Sequence, residues 1–226
     1  MLKAVIFDMD GVLIDSEPVH MEADRKLMKE LGLSFDKNYY AQFVGSTADY
    51  MWDKMIKDFS LSQTPAQLMA MSDKYIKEIN GAGGYPPVPG AAELVKRLSG
   101  EGILLAVASS SSMSRIRSVL DNMEIQSRFD GIVSGTEVKH PKPAPDTFLK
   151  AAELLQVSPS ECLVIEDSWN GMKAAKAAGM VCLGYENPDL GINRQNMEYA
   201  DYIVQGFEDV DLKFLEMVYS HAMGEP

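Results

Sequence analysis

Apolar residues fall along the chain in two kinds of pattern. Short continuous runs make up the first. They are Ala4-Val5-Ile6-Phe7, Ile103-Leu104-Leu105-Ala106-Val107, Gly131-Ile132-Val133, Leu163-Val164-Ile165, Val181-Cys182-Leu183 and Tyr202-Ile203-Val204. Runs of this length without polar alternation suit strands covered on both faces, as in a parallel sheet. The second pattern is a stripe at helical spacing. Leu94, Val95 and Leu98 form one that ends at Gly100, and Phe148, Leu149, Ala152 and Leu155 form another with Pro145 near its start. Met172, Ala175 and Ala178 form a third, closed by Gly179. Strands alternating with helices predict an α/β fold, with a parallel sheet and helices on both faces.

Residues 16–82 carry helical stripes and no strand run. Val19, Ala23, Leu27 and Leu31 recur every fourth residue before Gly32, and Met51, Met55, Ile56 and Phe59 make a second stripe. A third helix is expected from about Pro65 to Ile79. The predicted organisation is therefore a core of residues 1–15 and 83–226, interrupted after its first strand by a helical insert of residues 16–82. Gly81-Ala82-Gly83-Gly84 and Pro86-Pro87 mark the return crossing. Six of the 15 methionines fall in the insert, which reads as a soft apolar core rather than a substrate surface.

Charge narrows the partners. The net charge of −12, from 21 basic and 33 acidic residues, would repel a nucleic-acid backbone, so nucleic acid is excluded as a partner. A small phosphorylated molecule is not excluded, because a few cations and a metal override the average field locally. Cys162 and Cys182 each sit in an apolar run and read as buried thiols of a reducing compartment. No run is long enough to span a bilayer. Asp8 and Asp10 interrupt the N-terminal run before it could serve as a signal peptide. The expectation is a cytoplasmic monomer with no membrane contact.

Four polar constellations stand at predicted C-terminal ends of strands, where open α/β sheets bind ligands. Phe7-Asp8-Met9-Asp10-Gly11-Val12 sets two carboxylates after the first strand. Ala108-Ser109-Ser110 offers hydroxyls and backbone N–H groups at a strand-to-helix turn, an anion cradle. Lys142-Pro143-Ala144-Pro145 restricts the backbone around one ammonium, a point charge suited to phosphate. Ile165-Glu166-Asp167-Ser168 brings two more acids, and hard cations such as magnesium bind to carboxylate oxygens. Each has a plain alternative: a solvated Asp-x-Asp loop, a serine-rich turn, a surface lysine, an acid pair capping a helix.

As a set, these residues resemble the four motifs of the haloacid dehalogenase-like hydrolases, and the resemblance runs over nearly the whole chain. It is nearest to the beta-phosphoglucomutase-like branch, whose members carry a helical cap after the first strand of a Rossmann-like core. The resemblance implies a magnesium-dependent phosphatase that works through an aspartyl-phosphate. Asp8 would be the nucleophile and Asp10 the general acid and base. Ser109 and Lys142 would hold the transferring phosphoryl group. Glu166 and Asp167 would complete a Mg2+ site with Asp8 and the backbone carbonyl of Asp10. Ser110 and the cap residues Glu17 and His20, within Asp15-Ser16-Glu17-Pro18-Val19-His20, would bind substrate. The cap is expected to move as a hinged lid.

Departures from the branch bear on the reaction. Its phosphomutases carry a cap-loop arginine for a second phosphate, and Val44-Gly45-Ser46-Thr47-Ala48 has none. Ser112 and Met113 stand where those enzymes use a lysine and an asparagine. Arg115 and Lys77 are the cations that could substitute. Hydrolysis of a sugar phosphate or similar ester is therefore expected, with a hexose phosphomutase as the alternative and a catalytically silent binding protein as the second. Asp10 argues against halide displacement, since a halide leaving group needs no proton and the dehalogenases lack this second aspartate.

Overall fold

The computed structural model describes residues 1–36, 39–40, 43, 48–81, 84–188 and 195–224. The cap-loop stretch at 44–47 and the middle of the glycine run at 82–83 lie outside the described residues. The chain forms two compact units. One comprises Met1–Asp15 and Pro86–Pro226, the other Ser16–Tyr85.

The first unit is built on a six-stranded sheet of order β3-β2-β1-β4-β5-β6, every neighbouring pair parallel. The strands are β1 (Ala4–Phe7), β2 (Leu104–Ser109), β3 (Gly131–Ser134), β4 (Cys162–Glu166), β5 (Val181–Tyr185) and β6 (Tyr202–Val204). All six apolar runs became strands. Ser109 and Glu166, expected at strand ends, are the last residues of β2 and β4. β1 has β2 on one side and β4 on the other, so the chain reverses its direction of growth there, at the switch point of a doubly wound sheet.

Successive strand residues face opposite sides, and both sides are covered. Ala4, Ile6, Ala106, Ala108, Cys162 and Val164 share one core with Phe148, Ala151 and Ala152 of α6 (Asp146–Leu155) and Met172 and Ala175 of α7 (Trp169–Ala177). Val5, Phe7, Leu105, Val107, Leu163 and Ile165 alternate with these and are fully buried too. α4 (Ala91–Ser99) lies on β2, α5 (Met113–Asn122) on β3 and α8 (Leu212–Met223) on β5.

The second unit contains α1 (Glu17–Glu30), α2 (Ala48–Phe59) and α3 (Pro65–Asn80). A capping box at Thr64 and Gln67 starts α3. Leu27, Met28, Tyr40, Phe43, Met51, Trp52, Met55 and Leu68 form the core, with Met21, Met69 and Met71 packed against it. All six methionines of the insert thus serve its interior. Among the described residues, one carboxylate is buried here. Asp24 accepts hydrogen bonds from the Tyr40 hydroxyl (2.8 Å) and the Ser72 hydroxyl (2.6 Å), which offset the cost of burying it.

Candidate active site

Asp8 follows β1, and its backbone N–H donates to the carbonyl of Ile165 (3.0 Å), carrying the ladder one residue past the strand. The chain then turns tightly. The N–H groups of Leu13 and Ile14 donate to the Met9 carbonyl, and that of Gly11 donates to Ile14. Gly11 has φ +83°, and a Cβ there would lie 2.1 Å from Asp167 Oδ2. Only glycine serves both demands: the left-handed backbone and the close approach of the acid. The turn holds Asp10 at the same edge of the sheet.

Lys142 ties the centre together. Its ammonium donates to Asp8 Oδ1 (2.5 Å), Glu166 Oε1 (2.7 Å) and the Ala108 carbonyl (3.1 Å), and stands 4.5 Å from the centre of the Phe148 ring. The three charged side chains are nearly sealed from water, at 5% exposure for Lys142, 9% for Asp8 and 1% for Glu166. Such burial is stable only when the charges are paired and hydrogen-bonded. Burial alone would push the Lys142 ammonium down, but Asp8 and Glu166 outweigh it and hold it above its ordinary range. Burial pushes the Asp8 carboxyl up to about 7; Lys142 opposes the shift and Glu166 adds to it.

Glu166 is fixed from its other oxygen. Oε2 accepts from the backbone N–H (2.7 Å) and the hydroxyl (2.9 Å) of Ser168. The Ser168 hydroxyl also accepts from the Gly171 N–H and so caps α7. The cap is the serine, which leaves the acid pair for other work. Gly171 makes room for Glu166, since a Cβ there would sit 1.6 Å from Oε1. Asp167 is enclosed but not wholly sealed, and burial, with repulsion from Glu166 and Asp8, pushes its carboxyl well above the usual range.

Carboxylate oxygens of Asp8, Glu166 and Asp167 lie within 4.8 Å of one another. This donor set is all oxygen. It fits a hard dication such as magnesium, whose charge would relieve the repulsion that raises Asp8 and Asp167.

Other expected residues are placed as follows. Ser109 is buried, and its hydroxyl accepts from the Ser111 N–H (3.1 Å). Ser110 is exposed on the turn after β2. Glu17 opens α1, and the His20 ring stacks on Tyr85 at 6.1 Å within the second unit. Lys77 is exposed on α3. Tyr40, Phe43 and Trp52 belong to the second unit's core. Tyr39 packs on that core, edge-on to Phe43 and Phe59.

Two site residues carried no signal of their role in the sequence. Gln195 donates from Nε2 to Asp167 Oδ2 (2.9 Å), and its carbonyl accepts from the Asn187 N–H (3.0 Å), which fixes the orientation of the amide. Arg115, first considered for a second phosphate, grips Asp10 instead. Its two terminal nitrogens donate to the two Asp10 oxygens, each at 2.7 Å. The Ser111 hydroxyl completes the group, accepting from the guanidinium and donating to Asp10 (3.1 Å).

The chain is similar to several known proteins. The family model of the haloacid dehalogenase-like hydrolases matches residues 2–179. A fructose-1-phosphate phosphatase of Escherichia coli is 33% identical over 78% of this chain and 92% of its own. The beta-phosphoglucomutase of Bacillus subtilis is 30% identical over 95% of this chain and 94% of its own. A chloroplastic protein of Arabidopsis thaliana, Suppressor of Quenching 1, is 36% identical over 80% of this chain, which spans only 18% of that protein. Among solved structures, CbbY from Rhodobacter sphaeroides in complex with phosphate superposes with a TM-score of 0.76 at 27% identity, covering 96% of this chain and 100% of that one. With a matching motif at each of the four strand ends and relatives of nearly its own length, the chain belongs to the haloacid dehalogenase-like hydrolases, in the beta-phosphoglucomutase-like branch.

Proposed function

We propose that the protein is a magnesium-dependent phosphatase that hydrolyses a small phosphate ester of the sugar-phosphate kind in the cytoplasm. The observation that carries this reading is the Lys142 ammonium shared between Asp8 and Glu166, beside Asp167, at the ends of β1 and β4. Phosphoryl transfer asks mainly for positioning and charge stabilisation. Here one nucleophilic carboxylate, one fixed cation and an all-oxygen metal site converge.

Asp8 attacks phosphorus through a carboxylate oxygen. The ester P–O bond breaks, its electron pair leaves with the alcohol oxygen, and Asp10 supplies the proton that this oxygen takes. Asp10 then removes a proton from water as the water attacks the aspartyl-phosphate. Phosphate leaves, and Asp8 is regenerated. Lys142 and Ser109 hold the phosphoryl oxygens throughout. Magnesium held by Asp8, Glu166 and Asp167, with the Asp10 carbonyl, would offset the charge of the phosphoryl oxygens as an anionic nucleophile approaches.

The phosphomutase alternative needs cations for the phosphate that is not reacting. The Ser112 hydroxyl is occupied in capping α5, Met113 offers no charge, and Arg115 is engaged by Asp10. These observations favour hydrolysis. The test is phosphate release from an aryl phosphate and a panel of sugar phosphates. Release should require magnesium, stop on chelation and fall at least about a thousandfold in Asp8→Asn. Full activity in metal-free protein, or near-normal turnover by Asp8→Asn, would refute the mechanism. Isomerisation of β-glucose 1-phosphate without phosphate release would favour the mutase.

A further inference from the structure

The fork of Arg115 around Asp10 suggests which esters the site takes. We propose that Arg115 selects phosphate esters whose leaving group carries a carboxylate, by exchanging the Asp10 carboxylate for the substrate's own. This inference rests on the phosphatase reading above, in which Asp10 serves the leaving oxygen.

Three features of the site support it. First, the pair is a planar two-point contact, two nitrogens to two oxygens at 2.7 Å. That geometry matches a carboxylate, and here a carboxylate already fills it. Ser111 adds a hydroxyl to the same group, so an incoming carboxylate would find a donor as well as the fork. Second, the pair is partly open to water, with Arg115 at 28% and Asp10 at 33% exposure, whereas Lys142 and its acids are sealed. Water and a second carboxylate can therefore reach the same fork. Third, position follows from role. A general acid must reach the ester oxygen, so a guanidinium bound to that acid stands on the leaving-group side.

The exchange also has a mechanistic consequence. With both oxygens bound to Arg115, Asp10 is not available to the leaving oxygen. A substrate carboxylate that takes over the fork frees Asp10 at the moment the ester arrives. An uncharged leaving group must break the pair without replacing it. One guanidinium balances one negative charge, so the match is closer for a carboxylate than for a second, doubly charged phosphate.

The experiment compares matched esters with magnesium present. Glycerol 3-phosphate is paired with 3-phosphoglycerate, and a pentitol 5-phosphate with the pentonate 5-phosphate and the pentitol 1,5-bisphosphate. Wild-type protein should favour the carboxylate member in kcat/KM by about tenfold in at least one series. Arg115→Met should bring that ratio to about one, and Arg115→Lys, which keeps charge but not the fork, should recover little of it. A wild-type ratio near one in both series would overturn the proposal. So would equal losses on both members in Arg115→Met, which would mark Arg115 as a positioning residue for Asp10 only, or a preference for the bisphosphate over the pentonate. Turnover of 4-nitrophenyl phosphate reports separately on the phosphatase reading. Should that fail, calorimetric binding of the same esters to Asp8→Asn protein still measures the fork.

Discussion

Two ion-paired groups stand side by side at the ends of the strands, and they are built differently. Lys142 with Asp8 and Glu166 is sealed, multiply hydrogen-bonded and backed by the Phe148 ring. Arg115 with Asp10 is partly open to water and joined by a two-point contact. Asp8 and Asp10 are only two residues apart. The proposed nucleophile thus sits in a fixed, water-excluded frame and the proposed acid in an exchangeable one. Such a division suits a reaction in which the phosphoryl group stays the same from ester to ester while the leaving group varies.

The largest expected effect comes from breaking the sealed group. Lys142→Met removes the only ammonium that contacts Asp8 and Glu166 among the described residues and leaves two buried carboxylates face to face. In chelated protein the loss should be about 3–5 kcal/mol of unfolding free energy by urea titration. Added magnesium should restore part of it by binding the folded state. A loss below about 1 kcal/mol would show that the group is not sealed in solution.

Titration probes the same frame from the other side. Burial raises Asp8 from its ordinary 3.8 to about 7. A carboxyl raised in the folded chain contributes stability that is fully present below its unfolded value and lost as pH climbs through the folded one. Chelated wild-type protein should therefore lose stability relative to Asp8→Asn between about pH 4 and 7. A difference flat across that window would contradict the raised Asp8.

Gly171→Ala tests how closely the frame is packed. A Cβ would fall 1.6 Å from Glu166 Oε1, and the carboxylate is held by Lys142 and Ser168, so it cannot simply swing aside. The expected cost is about 1–3 kcal/mol, together with weaker magnesium dependence of turnover. Wild-type stability with unchanged metal dependence would mean that Glu166 moves freely.

How much of this was legible beforehand follows from how local each signal is. β1 to β5 announced themselves because a strand buried on both faces must be continuously apolar, as Leu163-Val164-Ile165 is. The helical stripes were equally direct, since α1 and α2 show their buried faces at helical spacing. α5 and α8 were passed over, although Ile116, Val119 and Leu120 and then Leu215, Val218 and Tyr219 line their buried sides. Asp8, Lys142, Glu166 and Asp167 were found because each closes or follows an apolar run or lies in a proline-bracketed motif. The Arg115 contact joins residues 105 apart, and Gln195 reaches back 28 residues to Asp167. No pattern near either residue encodes such a meeting; the topology brings them together.

The smallest effect sharpens the comparison most. Arg115→Met keeps an apolar stem and removes the fork. Asp10 at 33% exposure can then be hydrated, so no buried charge is stranded. A partly exposed ion pair contributes little after screening, and the expected change in unfolding free energy is below about 1 kcal/mol. Raising the salt concentration should shrink even that difference, because water and ions reach the pair. The Lys142→Met loss should barely respond to salt, since its charges are shielded from both. If Arg115→Met instead costs several kcal/mol and its effect is indifferent to salt, the two groups are alike. Arg115 is then a fixed strut for Asp10, and an exchange with substrate has no room to occur.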